Sequence, residues 1–375
     1  MKELLSITEI SRATGLEESL LRFYESEYSH RLPDKILHGD SLVYSADAVQ
    51  AFKQIHALHA PDKKNVPESA NRYARVIAVT SGKGGVGKTN IALNLAIEFQ
   101  RQGSMSLILD ADMGMANIHL LAGLNPGRGL ADVINSGVDI ADIIAPGPEG
   151  IGIIPGGGGI LSLSDSTRGE RMEIMRSLER VERQADIILV DTGAGMGPSV
   201  RDFLMCADEI LFVLVPEITS LADAYGLLKS LHREKMRQCK LYSVINMVQT
   251  LKQAVDIATR FSLCADEFLG RKVENVGYIM RDSAIGAATA RRTPFSVFKP
   301  QARASRNIHN IAKVLLANEM PELLASSAFR RYMRAVSGEI LEKKMEVNGI
   351  GSEVTSGAAS KDVTAANIGR IKTGA

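Results

Sequence analysis

The sequence has no tryptophan, and only 5% of its 375 residues are aromatic. That composition is a poor match for an aromatic-cored β-sandwich, whereas its 33 glycines suit an α/β protein that turns its backbone tightly around a ligand. Cysteine is scarce too. Cys206, Cys239 and Cys264 form neither a CxxC pair nor a disulfide framework, so a reduced cytoplasm is the expected setting. Long apolar runs are missing: the longest, Ile210 to Val215, has six residues, against the roughly 18 that indicate a membrane span. The opening MKELLSITEI has no sustained apolar stretch and does not read as a signal peptide. Neither sign of charge dominates, since 44 Lys and Arg face 43 Asp and Glu for a net +1. A protein that binds polyanions over its whole surface is thereby excluded, but a local basic patch is not.

What is present falls into segments. Residues 1–60 read as a small helical unit, with Leu4, Leu5, Ile7, Ile10, Leu16, Leu20, Leu21 and Phe23 at helical intervals around the turn Ala13-Thr14-Gly15. Residues 61–74, polar with two prolines, read as a linker. From Arg75 to about residue 320, short β-rich runs alternate with amphipathic helical stretches. The strands expected are 75–80, 106–110, 151–155, 186–191, 209–216, 240–248 and 273–280. Continuous apolar runs mean burial on both faces, so the expected fold is α/β, a doubly wound, mostly parallel sheet covered by helices on each side. Residues 321–347 contain an amphipathic helix over 326–345, in which Phe329, Met333, Val336 and Ile340 form a stripe beside five cationic residues, a pattern that suits packing on the core with solvated arginines or contact with a membrane. Residues 348–375, rich in Gly, Ser, Ala and Thr, read as a disordered tail. No internal repeat is evident.

The strongest chemical signal is the run Ser81 to Thr89, between the strand RVIAVT and the helical run NIALNLAIEF. Gly82, Gly84, Gly85 and Gly87 let successive backbone N–H groups curl around phosphate oxygens at a helix N-terminus, with Val86 and Asn90 completing the loop. Lys88 would reach the β and γ phosphates, and the Thr89 hydroxyl would hold Mg²⁺. Asp110 and Asp112 lie at the end of the strand SLILD, and Asp191 ends the apolar strand DIILVD. Strand ends of this kind are where an open α/β sheet binds its ligand, which makes the carboxylates candidates for metal and water. Asn246 ends another strand, where an asparagine is equally a turn residue.

Lys83 is extra to the general phosphate-loop pattern. With it the loop reads KGGVGKT and resembles the deviant Walker A family of MinD, ParA, nitrogenase iron protein and Mrp-type carriers, P-loop NTPases of the SIMIBI class. The runs LILDADMGMANIHLLAGL, ILVDTGAG, VPEITSLADAYGLLK and GYIMRDSAIGAATARRTPF narrow the similarity to the MinD branch, and within it to the flagellar number regulators FlhG and FleN. This resemblance implies an ATPase using ATP and Mg²⁺, and a homodimer closed by ATP in which Lys83 touches the partner's nucleotide. It further implies catalysis by Lys83, Lys88 and a water-positioning Asp112, with Asp110 and Asp191 near the metal and Asn246 recognising adenine. The segment after Asp191, with Gly193 and Gly195, would move with the γ-phosphate and couple hydrolysis to partner binding. The process implied is control of the placement or number of a flagellum, or of a division site. Peripheral membrane contact through the C-terminal helix and a flagellar or other regulatory protein partner come with it, although the GTPase-stimulating DQA helix of these regulators has no counterpart here.

The run Ile7 to Glu25 resembles the MerR-type helix-turn-helix, with Arg22 and Tyr24 as candidate DNA contacts and Val43 to Val49 resembling the start of the helix after that fold's wing. Residues 1–60 carry six basic against nine acidic residues, a balance that repels DNA. The unit thus reads either as a DNA reader or as a protein-docking module. The second reading of the whole chain is a ParA-like DNA-partitioning or transcriptional protein.

Overall fold

A computed structural model describes residues 4–14, 21, 32–33, 36–38, 41–59, 73–112, 117–156, 166–234, 239–318 and 326–336. The chain divides into two units, Met1–Asn71 and Arg72–Ala375.

In the first unit, β1 (Leu4–Leu5) precedes α1 (Ile7–Thr14), and the hairpin β2 (Ile36–His38) and β3 (Ser41–Ser45) leads into α2 (Asp47–His59). Ser6 and Glu9 start α1 reciprocally: the Glu9 carboxylate accepts from the Ser6 N–H at 2.8 Å, and the Ser6 hydroxyl accepts from the Glu9 N–H at 3.3 Å. The strands form a small sheet in the order β1-β3-β2. Ile10, Leu21, Tyr44, Ala48 and Phe52 make the core, where the Tyr44 and Phe52 rings meet edge to face at 5.8 Å. Val43 to Ser45 thus lie in a strand of the wing, and the helix expected there starts at Asp47. Arg22 and Tyr24, the candidate DNA contacts, lie outside the described residues.

The second unit runs in chain order β4 (Arg75–Thr80), α3 (Lys88–Arg101), β5 (Ser106–Ala111), α4 (Ile118–Leu121), α5 (Leu130–Ser136), β6 (Ala145–Pro146), β7 (Gly152–Ile154) and α6 (Arg168–Val181). It continues with β8 (Ile187–Thr192), α7 (Pro198–Cys206), β9 (Glu209–Leu214), α8 (Ile218–Arg233), β10 (Lys240–Val248), α9 (Leu251–Leu269) and β11 (Val273–Met280). The helices α10 (Ser283–Ala290), α11 (Phe295–Phe298), α12 (Arg303–Ala317) and α13 (residues 328–336) complete it. The sheet order is β11-β10-β9-β4-β8-β5-β7-β6, parallel throughout except for β6 on β7. All seven expected strands are present. The short antiparallel β6 was not expected, because two residues, one of them a proline, carry no strand pattern.

Alternation along the central strands builds the two cores. Val76 and Ala78 of β4 and Ile188 and Val190 of β8 face one layer with α6 to α9, while Ile77, Val79, Ile187 and Leu189 face the other with α3 and α12. Residues 73 and 74, expected in the linker, are buried in this unit, and the Ala74 N–H donates to the Glu182 carbonyl at 2.9 Å.

The described part of the C-terminal helix packs on the core. Phe329 is fully buried in the first core layer, and Met333 and Val336 pack against that layer. The Tyr332 hydroxyl donates to Asp202 at 2.8 Å, and the Ala328 N–H donates to Glu182 at 2.7 Å. Arg331 pairs with Asp208 and Arg330 with Glu179. Of the two partners open to the stripe, a membrane and the protein's own core, its described part takes the core, since a helical apolar stripe does not by itself name its partner. Residues 337–345 of that expected helix and the expected tail lie outside the described residues.

Candidate functional site

The adjacency of β4, β8 and β5 assembles the site. The phosphate loop follows β4, Asp191 lies near the end of β8, and Asp110 and Asp112 lie at the end of β5. In the paired registers Val79 aligns with Asp191, and Asp191 with Asp110. Three segments far apart in sequence therefore meet at the carboxyl edge of the sheet, where such folds bind ligands.

The loop's glycines have separate reasons. Gly85 and Gly87 have φ of +77° and +92°, the left-handed region that side chains disfavour. Gly82 is needed for proximity instead: a Cβ there would stand 2.2 Å from the backbone carbonyl carbon of Asp223 on α8. The loop opens on α3, whose first residue is Lys88, so the unpaired N–H groups of a helix N-terminus face the space where phosphates would sit. A cavity of about 870 Å³ lies above, bounded by Gly84, Gly85, Gly87, Lys88, Thr89 and Asn90 on the loop side and by Asp112, Gly193, Ser199 and Val200 opposite. Its volume suits a nucleotide.

Charge is concentrated beneath this cavity. Burial draws the Lys88 ammonium below its ordinary pKa, opposed by Asp191 and Asp112. Burial pushes the Asp191 carboxyl up to about 8, and Asp110 adds to the rise while the Thr89 hydroxyl and Lys88 counter it. Asp110 is pushed up to about 7, again chiefly by burial. One Asp110 oxygen accepts from the Ile118 N–H at 3.0 Å and so starts α4; the other, like both Asp191 oxygens, is buried without a hydrogen-bond partner of ordinary geometry. Two buried carboxylates of this kind fit a divalent cation held mainly by phosphate oxygens and the Thr89 hydroxyl, because a cation would supply the missing counter-charge. Among the described residues no group of three or more His, Cys, Asp or Glu makes a metal cage.

The remaining predicted residues sit at the margins. Lys83 points to Glu217 on the loop before α8, at 2.7 Å, with both side chains largely in solvent. That contact holds the lysine's pKa above its usual value. Asn246 lies behind the loop: its amide donates to the Val86 carbonyl at 2.7 Å, and its Oδ1 accepts from the Met247 N–H at 2.8 Å. Val86 itself is buried under the loop. The cavity's far wall comes from residues that sequence reasoning passed over, Met247, Thr289 and Arg292. Met247 and Arg292 both hold positive φ, +58° and +50°, unusual for such side chains. Thr289 and Arg292 lie in the run ATARRTPF, which already belonged to the resemblance.

Comparison with known proteins identifies the family and the fold. The family described as AAA domain matches residues 74–246, and the MerR HTH family regulatory protein matches residues 5–69. The antiactivator FleN of Pseudomonas aeruginosa is 34% identical over 239 residues, covering 64% of this chain and 85% of that protein. The chain belongs to the MinD/ParA-type P-loop ATPases. This ATPase carries a MerR-type helix-turn-helix unit ahead of its catalytic unit. The flagellum site-determining protein YlxH of Helicobacter pylori is 28% identical over 267 residues, 69% of this chain and 90% of that one. Among solved structures, the septum site-determining protein MinD of Pyrococcus horikoshii, complexed with Mg-ADP, shares the fold at a TM-score of 0.56 and 23% identity, covering 65% of this chain and 98% of that one. No helix among the described residues is long and apolar enough to cross a membrane.

Proposed function

We propose that this ATPase is a nucleotide-driven switch that sets the number or placement of a flagellum. The observation that carries the reading is the convergence of the phosphate loop and Asp112 on one nucleotide-sized cavity, with Asp191 buried against Thr89 and Lys88, together with the likeness to FleN and YlxH. In this reading the N–H groups of Gly84 to Lys88 and the Lys88 ammonium hold the β and γ phosphates of ATP. Thr89 and Asp191 hold Mg²⁺, with Asp110 behind them. The bound cation supplies charge neutralisation on the phosphate oxygens.

Asp112 orients the attacking water, and Lys83 leaves Glu217 to cross to the nucleotide of a second copy as an ATP-closed homodimer forms. A lysine held by an exposed carboxylate gives that contact up at little cost, since surface ion pairs are weak. Adenine recognition by Asn246 requires its amide to leave the Val86 carbonyl; as the site stands, Asn246 braces the loop while Met247, Thr289 and Arg292 wall the cavity. Gly195, whose N–H donates to the Ser81 carbonyl at 3.2 Å, ties the segment after Asp191 to the phosphate loop and gives hydrolysis a route to partner binding. The protein acts in the cytoplasm. Contact with a membrane or a regulatory protein through residues 328–336 requires that helix to leave the core.

The test is genetic and biochemical. Lys88→Ala should abolish ATP turnover in the purified protein and change the flagellar count of the organism it comes from. A normal count in cells lacking turnover would overturn the flagellar reading and leave the enzyme intact.

A further inference from the structure

Among the described residues, Glu149, Met247 and Arg292 are the non-glycine residues that hold positive φ. Two of them, Met247 and Arg292, line the nucleotide-sized cavity. Left-handed backbone under an ordinary side chain persists where its surroundings impose it, and such positions gather at ligand clamps. Arg292 is the sharper case. It stands just past the end of α10, where its N–H donates to the Thr289 carbonyl at 3.0 Å and the Thr293 N–H reaches back to the Ala288 carbonyl at 3.1 Å. That pair of bonds marks the helix ending whose left-handed residue is ordinarily glycine. Here the residue is an arginine, with φ of +50°.

The surroundings are shaped to accept this backbone. The Arg292 carbonyl comes so close to Gly123, two residues past α4, that a Cβ at Gly123 would stand 2.8 Å from its oxygen. Gly123 has φ of +73°, and α4 contributes Leu120 and Leu121 to the same cavity. The end of α10 is thus seated on the chain that continues from Asp112. No contact within the protein explains the side chain. Arg292 is exposed, and none of the ion pairs or side-chain hydrogen bonds found among the described residues includes its guanidinium. Its neighbour Arg291 differs, because that guanidinium lies over the Phe298 ring at 4.9 Å.

We propose that Arg292 is a substrate-binding residue whose guanidinium closes from the far wall onto the α-phosphate of the bound nucleotide. Lys88 and Arg292 are the Lys and Arg residues that line the cavity. Lys88 is committed to the β and γ phosphates, as is a cation held by Thr89 and Asp191, which leaves the α-phosphate without a counter-charge. Arg292 supplies one, with two parallel donors that match phosphate oxygens. Stacking on the base fits less well, because an unpaired cation gains more from a full negative charge than from a ring face. The strain then has a reason. A left-handed arginine gives up backbone stability in the free protein, and the bound phosphate offsets it. The inference rests on reading this cavity as the nucleotide site; the flagellar reading is not required.

The experiment sets two readouts against each other in the full chain. Arg292→Gly removes the guanidinium and relieves the left-handed backbone at once. The nucleotide-free variant should therefore melt no lower than wild type, while its affinity for Mg-ADP, read by calorimetry, should fall by at least about tenfold. Arg292→Lys, which keeps the charge and loses the two-donor fork, should bind with intermediate affinity. ADPαS, with sulfur in place of one α-phosphate oxygen, locates the contact. Wild type should prefer ADP to one diastereomer, and Arg292→Gly should show less of that preference, whereas sulfur on the β-phosphate should affect both proteins alike. Unchanged Mg-ADP affinity in Arg292→Gly would overturn the proposal, as would affinity lost only together with melting temperature. An equal preference against ADPαS in the two proteins would overturn it in favour of a contact with the base. Lys88→Ala tests the site itself: if Mg-ADP binding survives that change, the reading of the cavity falls and the inference with it. Binding lost in Lys88→Ala but kept in Arg292→Gly would overturn the Arg292 contact alone.

Discussion

Asp191→Asn tests the electrostatics of the site without needing catalysis. In the folded, nucleotide-free protein burial holds this carboxyl at about 8, against an ordinary value of 3.8. Below the ordinary value both folded and unfolded chains keep the proton. As pH rises, the unfolded chain releases it while the folded chain retains it to about 8, so stability present at low pH is lost across that window. One retained proton corresponds to about 1.4 kcal/mol per pH unit, so Asp191 alone removes about 3 kcal/mol between about pH 5 and about pH 7. Asparagine has nearly the same shape and no proton to lose. Urea unfolding of the nucleotide-free proteins should therefore show the variant's stability falling less steeply, by about 1.4 kcal/mol per pH unit, while Asp110 and the other acids titrate in both and largely cancel. Added Mg-ADP should shrink the wild type's dependence, because a cation favours the carboxylate, and should not change the variant's. Parallel pH profiles for the two proteins would refute the claim that Asp191 is a buried acid awaiting a cation.

Other outcomes follow from single contacts. Gly82→Ala drives a methyl to 2.2 Å from the Asp223 backbone; it should lower stability by about 1–3 kcal/mol or more and weaken ATP binding, and a wild-type melting curve would contradict the close approach. Phe329→Ala should cost about 3–5 kcal/mol by leaving a cavity in the first core layer, and Tyr332→Phe about 1–3 kcal/mol by leaving Asp202 short of a donor. Denaturation of the full chain reads both, and two neutral results would mean that residues 328–336 are not docked in solution. Lys83→Ala should leave ATP binding within a few-fold of wild type and abolish ATP-dependent association in sedimentation velocity; unchanged association would remove its cross-interface role.

Much of the catalytic unit was legible because its signals are local. A buried parallel strand must be apolar on both faces, so seven strands announce themselves, and a phosphate loop needs glycines and Lys88-Thr89 within one short run. What escaped depends on neighbours far away in sequence. The necessity of Gly82 lies in Asp223, the fate of the Asn246 amide in the Val86 carbonyl, and the value of Met247, Thr289 and Arg292 in a wall assembled from two distant segments. The C-terminal stripe was visible as a stripe, but core and membrane ask for the same pattern, and only the placement of Phe329 tells them apart. In the first unit the wing residues Val43 to Ser45 were assigned to a helix because β3 and α2 follow each other with one residue between them.

The central claim is an ATP-closed switch whose hydrolysis depends on Asp112, and the mass of the Asp112→Ala protein in solution tests it most directly. With Mg-ATP the variant should be a stable dimer that releases no phosphate, and with Mg-ADP a monomer. A variant that stays monomeric with ATP, or that hydrolyses it at the wild-type rate, would contradict the account.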